Sequence, residues 1–421
     1  MHALSLKRAL TAIVIIVGIF YANPTWTQKV RSEHSQESST YDQTGYCQEI
    51  SGVDFARGHT LDLSNYVKRN LGKSLDEISK SFDRFLILVG DPDSYLPELE
   101  REGITELKPL AKSYGTHTLS QAIDKNRKSA LVISNLQVRE QVLRSQLLLL
   151  SSGVAGNRVK TIGRLPDLRK KYLQTFCKMG RPPELAIYGF AGTILKKVLA
   201  ANPWALSSKV KFKWSSFQKK KMAYLRPETQ QPFFVVTLAD GTRIWLLTNV
   251  YGESARYLFE ASSDYGVKDF MVLGTGGSLN PNLKLNELIS PREMVTAGSK
   301  PTSTFLAPLK SVPNRGTYSR VITPLIETKA WLEQSIESSI DVVDVELGHI
   351  IEAHQAHSEV RLRAALLISD VMVGEQKNDL SKWTPNILHE SADKIFSLIK
   401  EETGRLSDEA WALKQVDIFY K

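Results

Sequence analysis

Phe270-Met-Val-Leu-Gly-Thr-Gly-Gly-Ser-Leu-Asn280, running on through Pro281 to Ile289-Ser-Pro291, is the stretch on which the fold is decided. A short apolar run rises into glycines, and the glycines give way to a polar loop. The pattern predicts a buried strand that delivers the chain to a ligand. Gly274, Gly276 and Gly277 allow positive φ and close backbone approach, while Thr275 and Ser278 set hydroxyls beside open amides. A plain tight turn has the same composition, so the flanking chain must choose between bend and site.

Upstream, Phe233–Leu238 and Thr242–Val250 read as a hairpin across Asp240-Gly241. Tyr251-Gly-Glu-Ser-Ala-Arg256 then opens a helix whose first amides could face a polar ligand. Glu184–Gly189, Ala130–Ser134 and Arg84–Gly90 are further apolar strands, each followed by a helical pattern. Such alternation predicts an α/β fold with a mostly parallel sheet and right-handed crossovers. Downstream, Pro301, Pro308 and Pro313 punctuate an irregular segment suited to a loop over a site. Val321–Ile326 is strand-like. Asp341-Val-Val-Asp-Val-Glu346 leads into a helix from Leu347, and Arg363–Asp370 is a last apolar strand ending on a carboxylate. In open parallel sheets ligands bind outside the carboxyl ends of strands, so Gly274–Gly276, Glu346 and Ser369-Asp370 could share one crevice. For Asp370 the competing reading is a helix N-cap.

The chain has 421 residues, 42% apolar and 24% charged, enough for one large or two medium globular domains. A net charge of +9 favours anionic partners only loosely. From Lys209 to Arg226 basic residues, including Lys219-Lys220-Lys221, alternate with Phe212, Trp214 and Tyr224. Nucleic-acid binding needs such mixing, but a short isolated run reads first as a solvated loop, so no nucleic-acid partner is expected. Two cysteines, Cys47 and Cys177, exclude a zinc ribbon or a disulfide scaffold. His349, His354, His357 and Glu352 lack zinc-protease spacing, and no metal is expected.

Lys7 and Arg8 precede an apolar run from Ala9 to Ala22 broken only by Thr11, which reads as a secretory signal over 1–22. Phe20 is a poor residue for cleavage after Ala22, leaving an uncleaved membrane anchor as the alternative. Either way the body is expected outside the cytoplasm, periplasmic or secreted, where Cys47 and Cys177 are free to pair. The expected organisation is a linker over 23–60, an N-terminal α/β domain over 61–180, a second domain over 181–405 and a tail over 406–421.

In order and spacing the C-terminal motifs resemble the purine nucleoside phosphorylase and uridine phosphorylase superfamily, including its hydrolytic branch, the methylthioadenosine/S-adenosylhomocysteine nucleosidases. Phe270–Ser290 is similar to that family's strand and glycine segment, Val343-Asp-Val-Glu346 to its Val-Glu-Met-Glu, and Leu367-Ile-Ser-Asp-Val371 to its Ser-Asp ending. Tyr251-Gly-Glu-Ser-Ala255 is similar to its Gly-x-x-x-Ala. The resemblance spans roughly 184–403. It implies a three-layer sandwich around a mixed sheet and cleavage of a nucleoside's N-glycosidic bond. Asp370 would protonate the leaving purine, which needs a pKa raised by burial. Ser369 would orient it, Glu346 would bind ribose hydroxyls, and Gly274, Thr275 and Gly276 would line the ribose and nucleophile end. No cofactor is implied, a small nucleoside is the partner, and a homo-oligomer is compatible with the family.

Departures shape the reading. Val272 stands where phosphorolytic members place an arginine, which favours water over phosphate as nucleophile. No glutamate matching the one by which the family's nucleosidases position water follows Tyr188-Gly189, and Thr323-Pro-Leu-Ile-Glu-Thr328 has no aromatic for base stacking. These losses keep open an inactive nucleoside-binding protein. Gly90-Asp91-Pro92 echoes the phosphate loop of the uridine phosphorylase group, with Ser94 in place of an arginine.

Overall fold

The computed structural model describes residues 58–72, 75–104, 106–111, 117–124, 128–202, 211–214, 232–295, 300–313, 315–374, 377–378 and 391–419. The expected signal over 1–22, Cys47 and all but 211–214 of the basic segment lie outside those residues. Among the described residues no helix is long and apolar enough to cross a membrane.

Two sheets form. The smaller begins with helices α1 (Leu63–Leu71) and α2 (Leu75–Ser81), then β1 (Arg84–Val89), α3 (Pro92–Arg101), β2 (Lys108–Ala111), β3 (Thr118–Ile123), β4 (Ser129–Leu136), α4 (Arg139–Ser151) and β5 (Val159–Gly163). Asp62 caps α1 by accepting the Asn65 amide. The strand order is β2-β3-β4-β1-β5. β1 runs parallel to both neighbours and is buried from Phe85 to Val89, as a central strand covered on both faces must be. β2, β3 and β4 are antiparallel.

The larger sheet takes β6 (Leu185–Tyr188), β7 (Lys211–Trp214), β8 (Phe233–Leu238), β9 (Arg243–Leu247), β10 (Asp269–Ser278), β11 (Leu288–Ile289), β12 (Glu293–Val295), β13 (Thr302–Ser303), β14 (Thr317–Arg320), β15 (Val342–Asp344), β16 (Arg361–Val371) and β17 (Leu413–Phe419). Its helices are α5 (Leu168–Met179), α6 (Ala191–Ala200), α7 (Ser254–Asp264), α8 (Lys329–Glu337), α9 (Leu347–His354) and α10 (Ala392–Thr403). The main path is β13-β12-β14-β15-β10-β6-β9-β8-β17-β7, with β16 beside β10. This is an α/β fold with a central mixed sheet flanked by helices. Phe270 and Val272 pack with residues of α5, α7 and α9 on one face, and Met271 and Leu273 with α6 and α10 on the other. The alternation is the period of two that a doubly covered strand requires.

Three expectations change. The expected tail over 406–421 contains a strand, since β17 pairs with β8 over six residues and lies between β8 and β7 in the larger sheet. Helix α5 lies inside the expected N-terminal domain, yet Leu168, Tyr172, Phe176 and Met179 belong to the core of the larger sheet. Val321–Ile326 holds no strand. The strand stops at Arg320, and Pro324–Ile326 makes a 3-10 turn capped by Thr323. Leu325 there is buried in the core of the smaller sheet, so the two units share an apolar contact.

Candidate functional site

The glycine stretch is strand, not turn. β10 runs ten residues from Asp269 to Ser278, and its glycines are absent from the positive-φ positions. The glycines serve close approach. A Cβ on Gly276 would lie 2.8 Å from Val342 Cγ1, and one on Gly277 3.0 Å from Asp370 Oδ2. On one edge β10 pairs with β16 along its whole length. On the other it pairs with β6 as far as Val272, then with β15 from Gly277. Among the described residues no strand pairs that edge over Leu273–Gly276. The sheet therefore splits beside Gly274-Thr275-Gly276, at the carboxyl end of the parallel strands β6, β9, β10 and β16. Gly189 closes the near side of the split, its absent Cβ lying 1.8 Å from Leu273 O. Such a change of neighbour is where α/β sheets leave room for ligands. Thr275 is half-buried between fully buried neighbours.

Asp370 is placed by a β-bulge. The β10–β16 register passes from Gly276↔Ile368 to Gly277↔Asp370, so Ser369 is the extra residue. A bulge re-aims the side chain that follows it. Asp370 is thereby set beside Gly277, and it sits inside a strand, which removes the N-cap reading. Ser369 Oγ donates to Asp370 Oδ1 at 2.7 Å and lies 3.3 Å from Gly276 O. Both residues are under 5% exposed.

Sequence reasoning gave no role to Glu327, a carboxyl close enough to Asp370 to feel its charge. Glu327 is buried, and burial is the main cause that pushes its pKa well above the usual carboxylate range; whenever Asp370 is ionised its charge raises it further. Its Oε2 has no hydrogen-bond partner among the described residues. Residues 58–60 hold its backbone. The Thr60 amide and hydroxyl donate to Glu327 O at 3.0 and 2.8 Å, and His59 Nε2 lies 3.0 Å from Leu325 O. The only signal was a lone acid in an otherwise apolar turn.

Glu346 stands at the N-terminus of α9, where its Oε1 accepts the Gly252 amide at 3.3 Å. Asp344 lies two residues back. Its carboxylate accepts the Leu347 amide at 3.1 Å and the Tyr318 hydroxyl, which in turn accepts the Gly348 amide at 2.7 Å. Burial raises both carboxyls, Asp344 to about 6, and the Asp344 charge raises Glu346 further. Glu346 is the member of the pair that keeps its proton, because Asp344 has the amide and hydroxyl donors that stabilise an anion. Asp344 also reaches the split, with Oδ2 3.8 Å from the place of a Gly274 Cβ.

Of the six residues expected to act, four fall into two hydrogen-bonded groups. Gly276, Ser369 and Asp370 form one, and Glu346 with Gly252 the other. Gly274 and Thr275 lie on the strand between. Two expectations are corrected. The first amides of α7 do not face open space, because Gly252 and Glu253 donate to Glu346 and Glu140, the latter at 2.8 Å. Gly90-Asp91-Pro92 belongs to the smaller sheet, where Asp91 opens α3 and pairs with Lys171 at 2.6 Å.

No family model matches the chain, and no curated protein matches it. Solved structures do. A schistosoma purine nucleoside phosphorylase in complex with hypoxanthine is 16% identical, with a TM-score of 0.39, over 56% of this chain and 96% of that one. A methylthioadenosine phosphorylase sourced from an antarctic soil metagenomic library is 13% identical, with a TM-score of 0.37, over 54% and 87%.

Proposed function

We propose that the chain hydrolyses the N-glycosidic bond of a purine nucleoside or a related nucleoside. The observation that carries this reading is the bulge at Ser369, which sets a buried Asp370 against Gly277 on the glycine-bearing end of β10 beside the split. In the proposed reaction the Asp370 carboxylic acid gives its proton to N7 of the purine. The C1′–N9 bond breaks with its electron pair going to the base, and the sugar passes through an oxocarbenium-like state. Water adds its oxygen to C1′, and its released proton restores the acid. Ser369 orients Asp370. Glu327, whose carboxyl is favoured in the neutral form by burial and whose Oε2 has no hydrogen-bond partner among the described residues, is a further group for the base edge. Glu346 takes ribose hydroxyls, and the Thr275 hydroxyl lines the sugar end.

Water is favoured over phosphate as nucleophile for two reasons. Val272 is 1% exposed in the apolar core, so the position brings no cation to an anion. The α7 amides, the helix end best suited to a phosphate, already serve two carboxylates. Incubation with adenosine in 18-oxygen water distinguishes the routes. The proposal expects labelled free ribose with or without phosphate, while ribose 1-phosphate formed only in phosphate buffer refutes the hydrolytic assignment. Secretion or anchoring through residues 1–22 remains part of the proposal, tested by whether mature protein in the extracytoplasmic fraction lacks that segment.

A further inference from the structure

The N-termini of two helices, one from each unit, meet head to head. α4 starts at Arg139 on leaving β4, and α7 starts at Ser254 just after Glu253. Both ends carry partial positive charge and repel unless neutralised. Each is capped by an acid from the other. Glu253 Oε1 accepts the Arg139 amide at 3.1 Å, and Glu140 Oε2 accepts the Glu253 amide at 2.8 Å. Glu140 is 3% exposed, and its other oxygen lies 2.8 Å from His349 Nε2. Arg320 Nη1 is 2.6 Å from His349 Nδ1. A guanidinium only donates, so Nδ1 accepts and Nε2–H is left to donate to Glu140. The carboxylate also occupies side-chain space at Gly252, where a Cβ would lie 1.9 Å from Oε2. Gly252 is the residue whose amide holds Glu346.

We propose that Glu140, from the smaller unit, is a positioning residue of the site. It fixes the Gly252–Glu253 turn and through it the Glu346 carboxyl. The inference rests on the assignment of Glu346 to the ribose hydroxyls. The Gly252–Glu346 contact is 3.3 Å, at the long end for an N–H···O bond, so a small rotation of the turn breaks it. Nothing else among the described side chains accepts the Glu253 amide.

The test compares the full chain with Glu140→Ala, Glu140→Asp, Glu346→Ala and the Glu140→Ala/Glu346→Ala double variant. Two quantities are read: the kcat/KM ratio for adenosine over 2′,3′-dideoxyadenosine, and amide exchange in peptides covering 250–256. Glu140→Ala is expected to shrink the ratio at least tenfold, as Glu346→Ala does, with no further loss in the double variant. Glu140→Asp is expected to recover part of it. Amide exchange at 252–253 rises at least tenfold in Glu140→Ala. A lower folded fraction would cut both substrates equally and leave the ratio unchanged, so an unchanged ratio overturns the proposal. If the native chain cleaves no nucleoside, the hydrolase reading fails by itself and exchange decides the positioning claim. Native-like exchange at 252–253 in Glu140→Ala then overturns it.

Discussion

Gly277→Ala disturbs the site without removing any of its chemistry. The added Cβ would lie 2.6 Å from Met372 Cε and 3.0 Å from Asp370 Oδ2. Met372 presents the end of a flexible chain and can swing away. The Asp370 carboxyl cannot follow as easily, because Ser369 Oγ holds Oδ1 at 2.7 Å. Reaching ordinary contact needs the carboxyl to move by a few tenths of an ångström, breaking that bond or tilting the acid away from the split. The stability change is small, since strain of about 1–2 kcal/mol is offset by about 0.4–1 kcal/mol from a stiffer unfolded chain. Misplacing a reacting group by about 1 Å can cost ~100-fold in rate, so a loss of roughly 10- to 100-fold in base release is expected. Release is followed by chromatography of free base, with urea unfolding alongside. Native-rate release by a stably folded Gly277→Ala refutes the claim that the bulge aims Asp370 for catalysis. Gly276→Ala is the contrasting variant. Its Cβ meets Val342 Cγ1 at 2.8 Å and the Val343 backbone at 3.2 Å, so it lowers stability first.

Three further outcomes follow from the packing. Arg363 is 1% exposed and pairs with Glu402 at 3.0 Å and Asp269 at 2.7 Å, so Glu402→Ala strands much of a buried charge and should cost about 3 kcal/mol in urea unfolding. A loss under about 1 kcal/mol contradicts this. Asp344 binds its proton more tightly folded than unfolded, so its contribution to stability falls as pH rises from its ordinary 3.8 to about 6. Asp344→Asn should therefore gain on the native chain by up to about 3 kcal/mol between pH 4 and pH 6, and a constant difference across that range sinks the assignment. His117 has the opposite sign. Burial holds its pKa down to about 3, so the unfolded chain binds more protons below pH 6.5 and acid destabilises the fold. Replacing it by Asn should flatten the acid side of the urea-midpoint profile, and an unchanged profile contradicts that.

Elements with strong apolar runs were legible from sequence. Arg84–Val89, Ser129–Leu136, Leu185–Tyr188 and the hairpin at Asp240-Gly241 lie where pattern and turn chemistry put them. Strands β2, β3, β5 and β17 were not, because Lys108-Pro-Leu-Ala111 and Leu413-Lys-Gln-Val-Asp-Ile-Phe419 are short or half-exposed and carry no apolar block. The glycine stretch misled for a physical reason. Glycine permits either a turn or a close approach, and sequence does not say which freedom is used. Only the close approach of Val342 and Asp370 from the two neighbouring strands shows that it is the second. At the site, motif order singled out Ser369, Asp370 and Glu346 as candidates. The bulge was not legible, since it depends on the register of β16 against β10. Glu327 and Glu140 were invisible because their partners lie far off in sequence, at residue 60 for the first and at 253 and 349 for the second.

The central claim is that Asp370 is the acid of an N-glycoside hydrolase. The most direct measurement is free-base release from a purine nucleoside panel, with and without phosphate, by the native chain and by Asp370→Asn. General acid catalysis contributes about 100- to 10,000-fold, so release without phosphate should fall by at least ~100-fold in the variant while nucleoside binding persists. Release at the native rate by Asp370→Asn, or binding with no release by the native chain under either condition, contradicts the account.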